Sequence, residues 1–289
     1  MSIQEKAMLV KLSIGKWSGE KYDEKISDEV STMHNADYRM GRFQKSLVSR
    51  TVIKSIQRIE NKARAFHKDN TLAWGGDGVR ILPAKNFMEY REGINELHSQ
   101  FDKVVRDFVQ DFELYVNQAK ALLGDMFVAS DYPDSYTLES KYHFSVDIMP
   151  VPYGNDFRVN LAEEDVEVIR QDIEEKVNNT MGEAMRDVWG RLYSVVERVV
   201  DTLPSYNPAG DGKDKGIFRD SLIDNISDLC ELLPRLNVTD DYDLEIMRKE
   251  VEDRLTQYTP AELREDGIAR TFVVESAEDI MTRLKDYMS

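Results

Sequence analysis

The sequence has a single cysteine, Cys230, and no long uninterrupted run of apolar residues. One cysteine excludes an internal disulfide bond. The first residues, MSIQEKAMLVKL, include no apolar stretch long enough for a signal peptide or a membrane-spanning helix. We therefore expect a cytoplasmic protein that makes no contact with a membrane.

Motifs of catalysis are also missing. The glycine-rich stretch at 74–78 lacks the GK[ST] ending of a phosphate-binding loop and the GxGxxG spacing of a dinucleotide fold. The histidines are far apart and form no HxxxH or HExxH pair; they are His34, His67, His98 and His143. We predict no metal ion, no cofactor and no enzymatic activity, and we expect His98 to be a packing residue.

One short string does match a catalytic pattern. Asp134, Glu139 and Lys141 have the order of the PD…ExK motif of metal-dependent nucleases, in which two carboxylates hold a divalent ion. Those carboxylates normally come from neighbouring strands, and the residues between Asp134 and Glu139 leave hardly enough chain for a hairpin. A nuclease is therefore an alternative, and the charge of a helix start is the favoured interpretation.

Charge and helical periodicity are abundant instead. Of the 289 residues, 41% are hydrophobic, which can fill a core, and 32% are charged. The charged share exceeds the quarter or so that is typical of globular proteins, and it fits helices with solvated outer faces. We predict a mainly α protein of the α+β class, with long antiparallel amphipathic helices, coiled-coil-like packing and a small β-sheet.

Three segments carry the helical pattern. The first runs from about 27 to 67 and contains no proline. The second, at 94–123, has apolar residues at steps of three and four that come close to a heptad repeat. The third, at 162–202, repeats this pattern over a length far above the average helix. We expect the second and third helices to pack as an elongated antiparallel hairpin.

Strands and shorter helices complete the predicted order. Strands are predicted at 7–14, 79–82 and 144–149, and a hairpin partner for the last of them at 157–161. Beyond residue 216, the sequence predicts helices at 218–233 (ended by Pro234), 241–257 and 260–266, a strand at 270–274, and a helix from 276 to 288.

The predicted domain boundary lies in a stretch rich in proline, glycine and charge. This stretch, 204–216, is predicted to be a linker or an exposed loop. It would separate an elongated helical domain with a small sheet, 1–203, from a C-terminal helical segment, 217–289, that packs on the first.

The charge is unevenly distributed along the chain. Residues 1–91 hold 17 Lys and Arg against 11 Asp and Glu, whereas the remainder holds 21 against 43, for a net charge of −16. Basic residues are densest between 39 and 68, where a four-residue spacing places several on one helical face. The predicted partner-binding residues are Arg39, Arg42, Lys45, Arg50, Lys54, Arg58 and Lys62.

Three interpretations of this basic face compete. The favoured one is a solvated face, or a face that docks internally onto the acidic C-terminal helices. The second is a site for an acidic protein partner. The third is a contact with nucleic acid, which the overall charge of −16 disfavours, because such binding depends on neutralising phosphates.

Several strings together resemble a known family. They are LVKLSIGKWSGEK, GGDGVRILPAKNF, LGDMF, YPDSY, VPYGNDFRVNL and MRDVWGRL, within residues 7–235. They are similar to a domain family of unknown function that occurs in bacteriophages and integrative elements, near genes for MoxR-type AAA+ ATPases and von Willebrand A-type proteins. The resemblance implies a phage or mobile-element protein in the cytoplasm of a bacterial host, and an AAA+ ATPase or a host protein as partner.

The function expected from these observations is macromolecular binding without catalysis. We expect a protein partner or self-association. The alternatives are a nucleic-acid-binding accessory protein that uses the 39–68 face, and the metal-dependent nuclease.

Overall fold

The computed structural model describes residues 2–37, 39–156, 162–208, 216 and 218–288. Helices account for 68% of the structure, beside a small antiparallel sheet. The predicted mainly α fold with a small sheet is therefore confirmed. In the part of the chain that is described, none of the helices combines the length and the apolar character needed to cross a bilayer.

The elements follow one another in a long series. The helices are α1 (Ile3–Lys6), α2 (Glu24–Met33), α3 (Arg50–Asp69), α4 (Phe87–Gln110), α5 (Phe112–Leu123), α6 (Ser135–Glu139), α7 (Glu163–Thr202), α8 (Ser221–Leu236), α9 (Tyr242–Leu255), α10 (Pro260–Glu265) and α11 (Gly267–Met288). The strands are β1 (Ala7–Gly15), β2 (Glu20–Tyr22), β3 (Gln44–Ser46), β4 (Leu72–Ala73), β5 (Val79–Pro83) and β6 (His143–Pro150).

The main sheet has four strands in the order β4-β5-β1-β6, and β2 and β3 form a separate two-stranded ribbon. β1 and β5 are antiparallel, with Ala7 opposite Pro83 and Lys11 opposite Val79. The strands predicted at the start of the chain, after the glycine-rich turn and before Pro150 are found to within one residue at each end. The predicted hairpin partner at 157–161 lies outside the described residues.

The chain divides into two compact units, each assembled from separate stretches. The first comprises 1–11, 69–88 and 148–289, and the second comprises 12–68 and 89–147. This division differs from the predicted one, because α7 and the helices after residue 217 belong to the same unit. Most of the predicted linker at 204–216 lies outside the described residues.

The core of the first unit follows one face of α7. Val188, Leu192, Val196 and Val199 are completely buried there. The main partner of α7 is α11, and α8 and α9 pack beside them. Full burial of such a side chain contributes about 1.5–3 kcal/mol, so packing stabilises this long helix more than intrinsic propensity does.

Two predictions, one about helix packing and one about a strand, are therefore wrong. The antiparallel hairpin expected between the helices at 94–123 and 162–202 is replaced by the packing of α7 on the C-terminal helices of its own unit. The strand predicted at 270–274 is helical and lies inside α11, where Val273 is completely buried. Both segments carry apolar residues whose partner is set by tertiary packing, and local periodicity does not identify it.

α8 also continues further than predicted, through Pro234 to Leu236. Proline has no N–H to donate to the carbonyl four residues earlier, which here belongs to Cys230. That carbonyl accepts a 3.3 Å hydrogen bond from Nη1 of Arg248 instead. The replacement donor explains why the helix does not end before the proline.

Aromatic side chains form the centre of the second unit. The Trp17 ring lies 6.1 Å from the Phe108 ring and 5.6 Å from the Phe112 ring, centroid to centroid, and all three residues are buried. Offset and edge-on contacts of this kind stabilise a core beyond the area they bury. The predicted helix at 94–123 is two helices here, because Asp111 separates α4 from α5.

The continuous helix predicted at 27–67 is also wrong. α2 ends at Met33, and Asn35 has the positive φ of 50° that reverses the chain direction. The Phe43 N–H then donates a 2.9 Å hydrogen bond to Oγ of Ser27, and β3 pairs with β2 before α3 begins. The strand interrupts the predicted helix because it has a pairing partner that local periodicity does not reveal.

Candidate binding surface

The predicted basic residues that precede α3 are engaged by neighbours in their own unit. Arg39 forms a two-pronged contact with Asp37, with Nε–Oδ1 and Nη2–Oδ2 distances of 3.0 and 2.7 Å. The guanidinium of Arg42 lies 5.5 Å from the centre of the Tyr22 ring. Arg39 is therefore held in a local turn and Arg42 beside β2, and neither lies on the face of α3.

Lys45 is a buried residue, although the sequence predicts it on the binding surface. Its side chain is 4% exposed, and Nζ lies 3.0 Å from Oδ2 of Asp23 and 2.7 Å from Oδ2 of Asp131. It also donates a 3.1 Å hydrogen bond to the carbonyl of Met126. A partner cannot reach this charge, so Lys45 does not belong to the binding surface.

Electrostatics explains how the buried lysine stays charged. Burial lowers the pKa of Lys45, but its hydrogen bonds to Asp131 and Asp23 outweigh this effect and raise the pKa above its ordinary value. Burial likewise raises the pKa of Asp131, and hydrogen bonds from Lys21 and Lys45 lower it further than burial raises it. The cluster therefore holds ionised partners together between β2, β3 and the turn at 129–131.

The remaining predicted residues lie on α3. Arg50, its first residue, is 3.8 Å from Oε1 of Glu20, and both side chains are substantially exposed. Lys54, Arg58 and Lys62 follow at intervals of four residues on an exposed face. Within the described residues these three form no ion pair. We call Lys54, Arg58 and Lys62 the cationic strip.

The opposite face of α3 explains why the strip is not neutralised. Ile56, Ile59 and Ala63 are buried there, as the helical spacing predicts. Glu60, the only acidic residue of α3 before its last position, is on that inner face, where it pairs with Lys16 and with Nε of Arg64 at 2.9 Å. The carboxylate of Glu60 is therefore occupied on the inner side of the helix.

The pKa of Glu60 reflects these contacts. Burial raises it, but hydrogen bonds from Lys16 and Arg64 outweigh burial, and the pKa lies below its ordinary value. Glu60 is therefore ionised near neutral pH and directed away from the strip. Uncharged side chains line the groove along the strip itself; these are Gln57, Asn61 and Ala65.

Among the residues of the nuclease motif, Asp134 has a structural role and the other two are exposed. Asp134 is the N-cap of α6, where its carboxylate accepts 2.8 Å hydrogen bonds from the N–H and the hydroxyl of Thr137. These bonds lower the pKa of Asp134. Glu139 and Lys141 are exposed. The helix-start interpretation of Asp134 is confirmed.

The histidines have separate environments. His67 Nδ1 is 2.8 Å from the hydroxyl of Tyr90, and the His98 ring stacks on Phe144 with centroids 4.7 Å apart. The packing role predicted for His98 is confirmed. Throughout the described ranges, no group of three or more His, Cys, Asp or Glu side chains has an arrangement that could hold a metal ion.

The N-terminal part of α7 forms a second charged surface, which the sequence did not predict. The first residues of α7, 163–176, include no buried side chain, although apolar residues recur along them. Their acids are mostly exposed. The sequence signal for this surface is a run of acids beside apolar positions, which also fits favourable charge at a helix start.

Comparisons with protein families, with curated proteins and with solved structures gave no match to this chain. Its function therefore has to be inferred from the chemistry of its own surfaces.

Proposed function

We propose that this protein acts by binding another macromolecule, without catalysis, and that the cationic strip of α3 is the surface it uses. The observation that carries this proposal is the contrast within one basic segment. Arg39 and Lys45 form ion pairs in their own unit and Arg42 lies over the Tyr22 ring, whereas Lys54, Arg58 and Lys62 have no ion pair among the described residues.

The spacing of the strip has an energetic consequence. Lys54 and Arg58, and likewise Arg58 and Lys62, are four residues apart on one helix, so their like charges repel each other. Each such pair destabilises a helix by about 0.2–0.5 kcal/mol. An acidic surface placed over the strip would relieve this repulsion and add favourable contacts, so the strip is better suited to the bound state than to the free one.

An acidic protein surface fits the strip better than nucleic acid does. Three cations would neutralise few phosphates, and the net charge of −16 repels a polyanion as a whole. The side chains that line the groove beside the cations are Gln57, Asn61 and Ala65, none of which is an aromatic platform on which a base could stack. Nucleic-acid binding is therefore the alternative outcome of the experiment below.

The biological context of this proposal comes from the resemblance of the sequence alone. We propose that the protein originates from a bacteriophage or a mobile element. Its partner in this proposal is an AAA+ ATPase or a host protein, with which or against which it functions. A protein of this kind would act by occupying the surface of its partner.

A binding experiment with defined polyanions tests the proposal. Immobilised polyglutamate and a short DNA duplex serve as probes near physiological ionic strength, where charges separated by more than about 8 Å are screened. The variant K54E/R58E/K62E reverses the strip. Its matched control, R91E/K103E/R106E, makes the same change of net charge at exposed residues of α4 that have no ion pair within the described part.

We expect the native protein to bind polyglutamate, the strip variant to bind about tenfold more weakly or worse, and the control variant to bind nearly as the native protein does. Equal loss in both variants would show that net charge alone determines the binding, which contradicts the proposal. Tighter, salt-sensitive binding of the duplex that is lost in the strip variant would establish nucleic acid as the ligand instead.

A further inference from the structure

The N-terminal part of α7 is a helix that lacks a full set of packing partners. Burial of α7 begins at Val177, and none of the residues from 163 to 176 is buried. The turn at 154–156 packs against one side of this part, and a Cβ on Gly154 would lie 3.0 Å from the carbonyl oxygen of Arg170. The outer side of the same helix turns is exposed to solvent.

The exposed side is acidic. Val166, Ile169 and Ile173 share one side of the helix and are partly buried. Successive residues are rotated by about 100°, so the side chains opposite them belong to a separate face. This face carries Glu164, Asp172 and Glu175, with the exposed Val168 between them.

The acids of this face have no cationic partner in the described residues. Glu167 and Arg170 are 3.9 Å apart, but that contact does not involve the outer face. We call Glu164, Asp172 and Glu175 the acidic strip. It has the opposite charge to the cationic strip, and it is also exposed.

The two strips also have comparable lengths. Each lies on one helix, so the distance along its axis follows from a rise of about 1.5 Å per residue. The cations from Lys54 to Lys62 span about 12 Å and the acids from Glu164 to Glu175 span about 16 Å. Each face also presents one exposed apolar group between or beside its charges, Ala65 in α3 and Val168 in α7.

We propose that the acidic strip of one copy of this protein binds the cationic strip of another copy. This inference rests on the proposed function, since it uses the same surface of α3 and names its partner. The contact joins two different patches, so it is heterologous, and each copy can bind two neighbours. Its products are therefore a ladder of oligomers or a closed ring.

The charge of the whole chain limits the strength of this contact. Two copies with a net charge of −16 repel each other, and this repulsion acts over long distances when salt is low. Near physiological ionic strength, charges beyond about 8 Å are screened while pairs in contact still attract. We therefore expect a weak association that is strongest at intermediate salt and about tenfold weaker near 1 M salt.

Paired charge reversals provide the test, read out by sedimentation velocity over a range of concentrations. K54E/R58E/K62E leaves both strips negative, and E164K/D172K/E175K leaves both strips positive. We expect the native protein to show an average mass that rises with concentration, and each variant alone to remain a monomer. An equimolar mixture of the two variants should recover the association, because opposite strips can again meet.

A matched control separates strip pairing from the change in net charge. D228K/E231K/D253K changes the net charge by the same amount as E164K/D172K/E175K, at exposed acids of α8 and α9 that have no ion pair in the described residues. It keeps both strips, so it should associate at least as strongly as the native protein, whereas E164K/D172K/E175K should remain a monomer. Glu164 lies in the first turn of α7, so D172K/E175K keeps the test valid if the triple variant loses helix in circular dichroism.

The outcomes distinguish this inference from the proposed function. A native protein that stays monomeric at all salt concentrations but binds polyglutamate through α3 would overturn self-association and leave the proposed function intact. If the native protein associates and the reversals have no effect, the inference is wrong. The same holds if both variants lose association and their mixture does not recover it. Failure of the polyglutamate experiment itself would overturn the proposed function.

Discussion

Lys45 and the cationic strip belong to the same basic segment of the sequence, but they have opposite environments. Lys45 is 4% exposed and contacts two carboxylates, whereas Lys54, Arg58 and Lys62 are exposed and have no ion pair in the part of the chain described. One lysine stabilises the fold and the others remain available to a partner. A cluster of like charges in a sequence is therefore not one surface until the partners of each charge are known.

The largest expected effect is that of removing the buried charge. Lys45→Met keeps the length of the side chain but leaves Asp23 and Asp131 without their shared partner. Breaking a buried ion pair on one side costs about 3–5 kcal/mol, and we expect the lower end because Asp131 keeps Lys21. Urea unfolding at neutral pH measures this loss.

The matched control is Lys54→Met on α3, which removes an exposed charge of the same type. We expect a change of no more than about 0.5 kcal/mol in the free energy of unfolding. A similar loss in both variants would contradict the distinction between the buried lysine and the strip.

A second, smaller effect is the pH dependence of the buried cluster. The pKa of Asp131 is lower in the folded state than its ordinary value of about 3.9. A carboxyl with a depressed folded pKa contributes stability that is complete above its unfolded pKa and is lost as the pH falls through its folded pKa. The native protein should therefore lose stability below about pH 4.

The comparison with Lys45→Met sharpens this expectation. In that variant Asp131 has lost one of the two lysines that lower its pKa. The free energy of unfolding of the variant should therefore fall less steeply than that of the native protein as the pH is lowered. The difference in unfolding free energy between the two proteins should narrow from pH 6 to pH 3. A difference that stays constant over this range would mean that ion pairing is not what Lys45 contributes.

Local periodicity accounts for what the sequence predicted correctly. The exposed spacing of the strip and the buried Ile56, Ile59 and Ala63 on the opposite side follow from one helical repeat in α3. The helix predicted at 260–266 is found as α10, and the capping box of Thr259 and Glu262 that begins it depends only on residues three apart. Such features need no knowledge of distant parts of the chain.

Distant partners account for what the sequence missed. Lys45 is buried because β3 pairs with β2 and because Asp131 lies far along the chain. The continuation of α8 through Pro234 depends on Arg248 from the next helix. The main partner of α7 is α11, which the apolar repeat of α7 does not identify. Each of these outcomes is set by a tertiary contact that no local pattern encodes.

The smallest expected effect concerns the strip itself. K54E/R58E/K62E should change the free energy of unfolding by less than about 1 kcal/mol, because exposed charges without partners contribute little to stability. Repulsion between the new glutamates at four-residue spacing replaces the repulsion between the original cations, so that contribution cancels.

Urea unfolding near physiological ionic strength and near 1 M salt measures this change, with R91E/K103E/R106E as the control of equal charge. A strip that docks within the fold would behave differently, because reversal would then place like charges in contact. Destabilisation above about 2 kcal/mol that is absent from the control and reduced by salt would show such docking. That result would assign the strip to the same stabilising role as Lys45 and would remove the basis for the proposed binding surface.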